Sequence, residues 1–272
     1  MGRRRMWKAH QIVLELLSPL HVGHRRIGNL ASTRRYVPGR AIWGALTARI
    51  TRDAGGQDYA EVGRRVHEEL AWTYFFVSAT PGKVPLWPWG GNGHEFEWLY
   101  LSSFASTALE DGHSAEEGAL HEVEHIAPRT RFGDQVYLTG YLFEREGSTL
   151  NWRGALNRLQ IGGERSYGWG RVRPFAVTPL EGPCFGIYPA HTNSDRPVIE
   201  APGGLALAAH TLAFDSDNYE GAIEPLVGRE TDTANSAFGV LPSSAVVCWT
   251  PGTRTLETRK YQVAGHGIWN PD

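Results

Sequence analysis

The segment from Arg158 to Arg173 places the strongest constraint on this chain. It reads Arg-Leu-Gln-Ile-Gly-Gly-Glu-Arg-Ser-Tyr-Gly-Trp-Gly-Arg-Val-Arg, with Gly162, Gly163, Gly168 and Gly170 interleaved with Arg165, Tyr167, Trp169 and Arg171. Glycine admits positive φ and the close approach of another backbone, and the N–H groups that such a loop exposes form a concave anion site. Arginine adds bidentate phosphate contacts, Ser166 a hydroxyl, and Tyr167 or Trp169 a face on which a base stacks. The same residues also suit a glycine-rich hairpin with two core aromatics, so the loop alone leaves both readings open.

The charge distribution favours the anion. Residues Met1 to Arg52 hold eleven Lys and Arg against one acid, Glu15, a net +10, while the rest of the 272 residues carries −12. A focused basic region on an otherwise acidic protein suits guided binding of one polyanion rather than indiscriminate adhesion. With 32 Gly and 10 Trp, a mixed or β-rich fold with many turns follows more easily than a helical bundle. Cys184 and Cys248 stand far apart without a metal-ligand spacing, so neither a zinc site nor a disulfide framework is expected. The apolar run Ile12 to Leu17 behind Arg3, Arg4 and Arg5 is too short for a leader and contains Glu15, and no stretch reaches membrane-span length. A soluble, cytoplasmic protein without a cofactor or metal is the expectation.

Along the chain, His10 to Leu17 reads as a buried strand that stops at Ser18-Pro19. A basic turn follows, with His21, Gly23, His24, Arg25 and Arg26, then Arg34, Arg35 and the Pro38-Gly39 breaker before Arg40. Ile42, Ala45, Leu46, Arg49 and Ile50 recur at helical spacing, which predicts a helix packed on a sheet, its N-terminus and the basic loop aimed at an anion.

These residues resemble the RAMP superfamily of CRISPR-associated proteins. Ser18-Pro19-Leu20-His21-Val22-Gly23 and Tyr36-Val37-Pro38-Gly39-Arg40-Ala41-Ile42-Trp43-Gly44-Ala45-Leu46 are similar to the family's first strand, glycine turn and helix start, and Gly162 to Val172 to its glycine-rich loop. Two departures are Arg40, where Ser or Thr is common, and Trp43, where an aliphatic residue is. Gly221 to Glu230 is similar to a stretch in the Cas5-type branch of type III-D systems. The resemblance implies an α+β, ferredoxin-like (RRM-like) core with insertions and a C-terminal β-rich extension. It also implies a non-catalytic subunit of a type III effector that grips CRISPR RNA, meets target RNA indirectly and sits among other effector subunits. The RNA contacts it implies are Gly23, His24, Arg25, Arg26, Arg34, Arg35, Arg40, Gly162, Gly163, Arg165, Ser166, Tyr167, Gly168, Gly170 and Arg171.

Two other activities stay open within that family. One is a metal-independent ribonuclease that trims precursor CRISPR RNA with His21 or His24 as general acid or base. The other is a backbone subunit that cuts target RNA, for which Asp53, Asp58 and Asp134 offer no clear loop aspartate. The remaining segments complete a β-α-β-β-α-β order: an exposed helix over Tyr59 to Leu70, strands over Trp72 to Ser78 and Gln135 to Phe143, a helix over Asn151 to Gln160, and a last strand over Trp169 to Val177. Residues 1–178 are expected to form this core, with an insertion over 79–135, and residues 179–272 a smaller β-rich part. Within the insertion, Trp87, Trp89 and Trp98 read as anchors for a neighbouring molecule or as a satellite core. The acidic, His-containing Glu110 to Glu124 reads as a solvated segment facing away from the basic loop.

Overall fold

The structure, a computed structural model, describes residues 6–84, 86–108, 114, 116–214, 218–232 and 237–272. Arg3 to Arg5 and part of the acidic segment, including Glu110, lie outside the described residues.

The first half runs β1 (Trp7–Leu16), β2 (Gly23–Ile27), β3 (Leu30–Thr33), β4 (Tyr36–Val37), α1 (Gly39–Asp53), α2 (Tyr59–Glu69), β5 (Leu70–Trp72), β6 (Phe75–Ser78), α3 (Gly93–Tyr100), β7 (Leu101–Ser106), β8 (His121–Ile126), β9 (Tyr137–Arg145), α4 (Trp152–Leu156) and β10 (Val172–Pro179). An antiparallel sheet in the order β10-β1-β9-β6-β4, with β5 also on β9, forms its centre. β1, the helix pair, β5–β6, β9, α4 and β10 give the β-α-β-β-α-β order, with the fourth strand beside the first and the first beside the third. That is the ferredoxin-like arrangement.

Strand residues alternate between two buried faces, which is why these strands read as near-continuous apolar runs. Ile12, Leu14 and Leu16 of β1, with Phe75, Val77, Leu138 and Leu142, meet Ile42, Leu46 and Ile50 of α1 and Ala155 and Leu156 of α4. The other face presents Trp7, Phe76, Tyr141 and Phe143 to a second core.

The second half supplies that core. Its strands are β11 (Ala190–His191), β12 (Val198–Ala201), β13 (Thr211–Leu212), β14 (Tyr219–Glu220), β15 (Ile223–Asp232), β16 (Ala237–Trp249), β17 (Arg254–Thr255), β18 (Arg259–Val263) and β19 (Trp269–Pro271). Seven of them form a sheet in the order β11-β12-β18-β19-β13-β16-β15. Ile199, Tyr261, Val263 and Trp269 are buried with Tyr74, Phe76, Tyr141 and Phe143 of the first half. The Trp7 indole donates to the carbonyls of Ser194 and Asp195 at 3.2 Å.

Three local expectations change. The helix after Asn151 stops at Leu156, because Gln160 bridges Arg171 and the Ile161 N–H donates to the Gly170 carbonyl, committing that backbone to the glycine loop. The start of α1 does not face an open anion site, since the His266 carbonyl and the Trp72 indole pack against Gly39. Trp87 and Trp89 stack on each other at 4.9 Å and meet Phe76 and Phe185, so they extend the second core, whereas Trp98 remains exposed. The insertion otherwise adds β7 and β8 to the β2–β3 hairpin, giving a separate sheet in the order β2-β3-β8-β7. Among the described residues no helix is long and apolar enough to cross a membrane.

Candidate nucleic-acid interface

The glycine loop is clamped by the turn after β1. The Gly163 N–H donates to the His21 carbonyl at 2.8 Å and the Gly170 N–H to the Pro19 carbonyl at 2.7 Å, while the Arg171 N–H reaches Ser18 Oγ at 2.9 Å. Gln160 Nε2 braces the interior through the carbonyls of Arg165 and Trp169 at 3.0 and 2.8 Å. Two glycines are demanded by this packing. Gly162 (φ 83°) and Gly170 (φ 75°) are left-handed, and a Cβ would strike the His21 carbonyl at the first and the Ile161 carbonyl at the second. Backbone conformation and backbone proximity thus exclude other residues together.

Held this way, the loop turns its polar side chains outward. Arg165, Ser166, Tyr167 and Arg171 are exposed, Tyr167 by 79%. Neither Arg165 nor Arg171 has a side-chain hydrogen bond or ion pair among the described residues. Trp169 is different: its ring lies edge-on to His125 at 4.9 Å and near Phe104 at 6.4 Å, pinning the loop to the β7–β8 ribbon. Of the two aromatics, Tyr167 is the free stacking face.

The N-terminal basic residues divide into two groups. Gly23, His24, Arg25 and Arg26 lie exposed on β2, and Arg25 has no acidic partner among the described residues. Arg34, Arg35 and Arg40 turn inward instead. Arg35 pairs with Glu97 and donates to the Pro88 carbonyl at 3.1 Å, and the Arg40 guanidinium packs over Gly228 of β15. Arg34 Nη1 donates to Glu224 Oε1 at 2.6 Å and to the Tyr36 hydroxyl at 3.0 Å.

Glu224 gathers a buried polar chain. His210, fully buried, donates from Nε2 to Glu224 Oε1 at 2.6 Å and accepts at Nδ1 from the Tyr74 hydroxyl at 2.7 Å, which fits a neutral imidazole. His24 Nε2 stands 3.5 Å from the second carboxylate oxygen. Burial alone would raise the Glu224 carboxyl, and the hydrogen bonds from His210, His24 and Arg34 outweigh it, holding it well below the ordinary carboxylate range. Burial lowers His210 despite the carboxylate beside it. His21 is buried too, with Nδ1 donating to the Glu124 carbonyl at 2.7 Å.

No family model and no curated protein matches the sequence. Among solved structures, a chain of the type III-B Cmr-beta bound to cognate target RNA and AMPPnP is similar over 90% of this chain and 85% of its own, at 11% identity and a TM-score of 0.50. The chain shares the fold of that structure. A chain of the type III-B Cmr-beta bound to cognate target RNA is also similar, over 61% of this chain and 96% of its own, at 11% identity and a TM-score of 0.44.

On this fold the three aspartates weighed from the sequence hold local structure. Asp53 pairs with Arg49 and Arg158, Asp58 accepts the Glu61 N–H at the start of α2, and Asp134 accepts from the Thr130 hydroxyl. Sequence reasoning missed Ser18, Gln160 and Glu224. The first two flank the loop, where a hydroxyl and an amide can serve bent backbone. Glu224 carried no signal, since its partner Arg34 lies 190 residues away.

Proposed function

We propose that the chain is a non-catalytic subunit of a type III CRISPR ribonucleoprotein effector, gripping the backbone or 5′ tag of the CRISPR RNA through the glycine loop. The observation that carries this is a set of outward arginines without partners, Arg165 and Arg171, on a loop whose backbone is locked to the turn leading into Arg25. Arg25, Arg26, Arg165 and Arg171 contact phosphates, His24 and Ser166 add donors, and Tyr167 stacks on a base. Gly23, Gly162, Gly163, Gly168 and Gly170 let the RNA and the supporting turn come close. The fold shared with a Cmr-beta chain bound to target RNA supports the same assignment and implies neighbouring effector subunits, with target RNA met indirectly. Binding rather than cleavage is supported by His21, which is buried and occupied, and by His24, which faces a structural carboxylate. General acid–base cleavage needs groups that reach the moving protons.

The test is association with labelled repeat RNA across a salt series. Arg165→Ala with Arg171→Ala is expected to weaken binding uniformly across sequences and to flatten the salt slope by about 0.7 to 0.9 for each phosphate that is no longer neutralised. An unchanged slope would return the loop to a purely structural role. Metal-independent product that disappears in His24→Ala would make the chain a processing nuclease instead.

A further inference from the structure

A cavity of ≈ 470 Å³ lies between β3, α3, β7 and β8, lined by Leu30, Glu97, Trp98, Ser103, Glu122 and Glu124 among others. Cross-strand pairing puts Ser103 opposite Glu124 and Ala105 opposite Glu122 on one face of the β7–β8 ribbon. Ser102 with His125 and Phe104 with Val123 alternate onto the other face, where Trp169 of the glycine loop packs. The ribbon therefore separates this cavity from the glycine loop.

Its charges do not balance. Glu97 is paired with Arg35, and Glu124 Oε2 accepts the Thr33 N–H at 2.9 Å. Arg131, the guanidinium that lines the cavity, is held by the carbonyls of Trp98 and Leu101 at 3.1 and 3.2 Å. With Glu97 taken up by Arg35, Glu122 and Glu124 thus face one lining guanidinium, and Glu122, half-buried, has no side-chain partner among the described residues. On the connection to β8, Glu116 and Glu117 are exposed and add to the negative field. At the rim Trp98 is 55% exposed and meets Phe132, 75% exposed, edge to face at 5.4 Å.

We propose that this cavity receives an arginine side chain from a partner protein, its guanidinium stacked on Trp98 and paired with Glu122. One uncompensated carboxylate asks for one cation and repels phosphate, so nucleic acid is the wrong occupant. The exposed Trp98–Phe132 pair supplies the aromatic surface on which protein interfaces concentrate their binding energy. Arginine suits the site better than lysine, because a planar fork both stacks on an indole and bridges a carboxylate.

The experiment uses the full chain labelled with fluorotryptophan, the Trp98 fluorine resonance being the one missing in Trp98→Phe. A capped Gly-Arg-Gly tripeptide is expected to shift it, with the neutral citrulline analogue binding about tenfold more weakly. Glu122→Gln is expected to weaken the arginine peptide by about tenfold as well, whereas Glu116→Gln leaves it unchanged. No shift, an equal response to citrulline, a response to oligouridylate alone, or full affinity in Glu122→Gln overturns the proposal. Because Arg165→Ala with Arg171→Ala leaves this titration intact, the cavity and the RNA-binding loop fail or stand separately.

Discussion

At Gly170 a single hydrogen atom decides the loop. A Cβ there meets the Ile161 carbonyl, which cannot withdraw because its own residue is tied to Gly170 through the Ile161 N–H. Gly168 shares the left-handed φ, 82°, but a Cβ at that position would meet nothing within 4 Å. Gly168→Ala should therefore cost only backbone strain, about 1 kcal/mol, whereas Gly170→Ala adds a backbone clash and should cost about 3 kcal/mol or more. Denaturant unfolding of the two variants measures the difference, and equal losses would refute the close approach. Titration supplies a second prediction. His210 is lowered from 6.5 by burial, so as pH falls below 6.5 the unfolded chain takes up a proton that the fold refuses, and stability declines. His10 and His125 are lowered by burial as well and act in the same direction. Glu224, held low in the fold, contributes stability above the ordinary carboxylate range and loses it as pH falls further. Melting temperature should thus drop between pH 7 and 5, with proton uptake on unfolding smaller by roughly one proton at most in His210→Gln. A proton uptake unchanged in His210→Gln would show that His210 is protonated in the fold.

At the scale of elements, the Trp87–Trp89 segment shows how a loop becomes core. Its two indoles stack and close on Phe76, a strand residue with no exposure, and on Phe185 from the second half. Trp87→Ala with Trp89→Ala should lower stability by about 3 kcal/mol or more, seen as a fall in the denaturant midpoint. Near-wild-type stability would make them surface anchors after all. β15 plays a comparable part for charge. It carries Glu224 beneath β2 and β3, so Arg34 and His24 are drawn toward the second half while Arg25 and Arg26 stay outward on the same hairpin.

Over the whole molecule, one sheet serves two cores, helices on one face and the second half's strands on the other. Cutting the chain after residue 178 would bare Tyr74, Phe76, Tyr141 and Phe143 together, an apolar surface that a soluble monomer does not tolerate. The fragment of residues 1–178 should bind a hydrophobic dye or aggregate, and a monomeric fragment with native melting would show instead that the two parts are independent.

Much of this was legible in the residues themselves. The breakers at Ser18-Pro19 and Pro38-Gly39, the helical spacing of Ile42, Ala45, Leu46 and Ile50, and the clustered glycines are local signals, because steric limits on φ and the side-chain periods act over a few residues. They determined β1, α1, the glycine loop and the order of the core. Which arginines remain outward was decided only by the tertiary structure. Arg34, Arg35 and Arg40 look no different from Arg25 and Arg26 in sequence, yet Glu224, Glu97 and Gly228 come to them from distant segments. The same holds for Trp87 and Trp89 against Trp98: burial depends on what the fold brings opposite a side chain, and one strand's composition does not contain its neighbour's position.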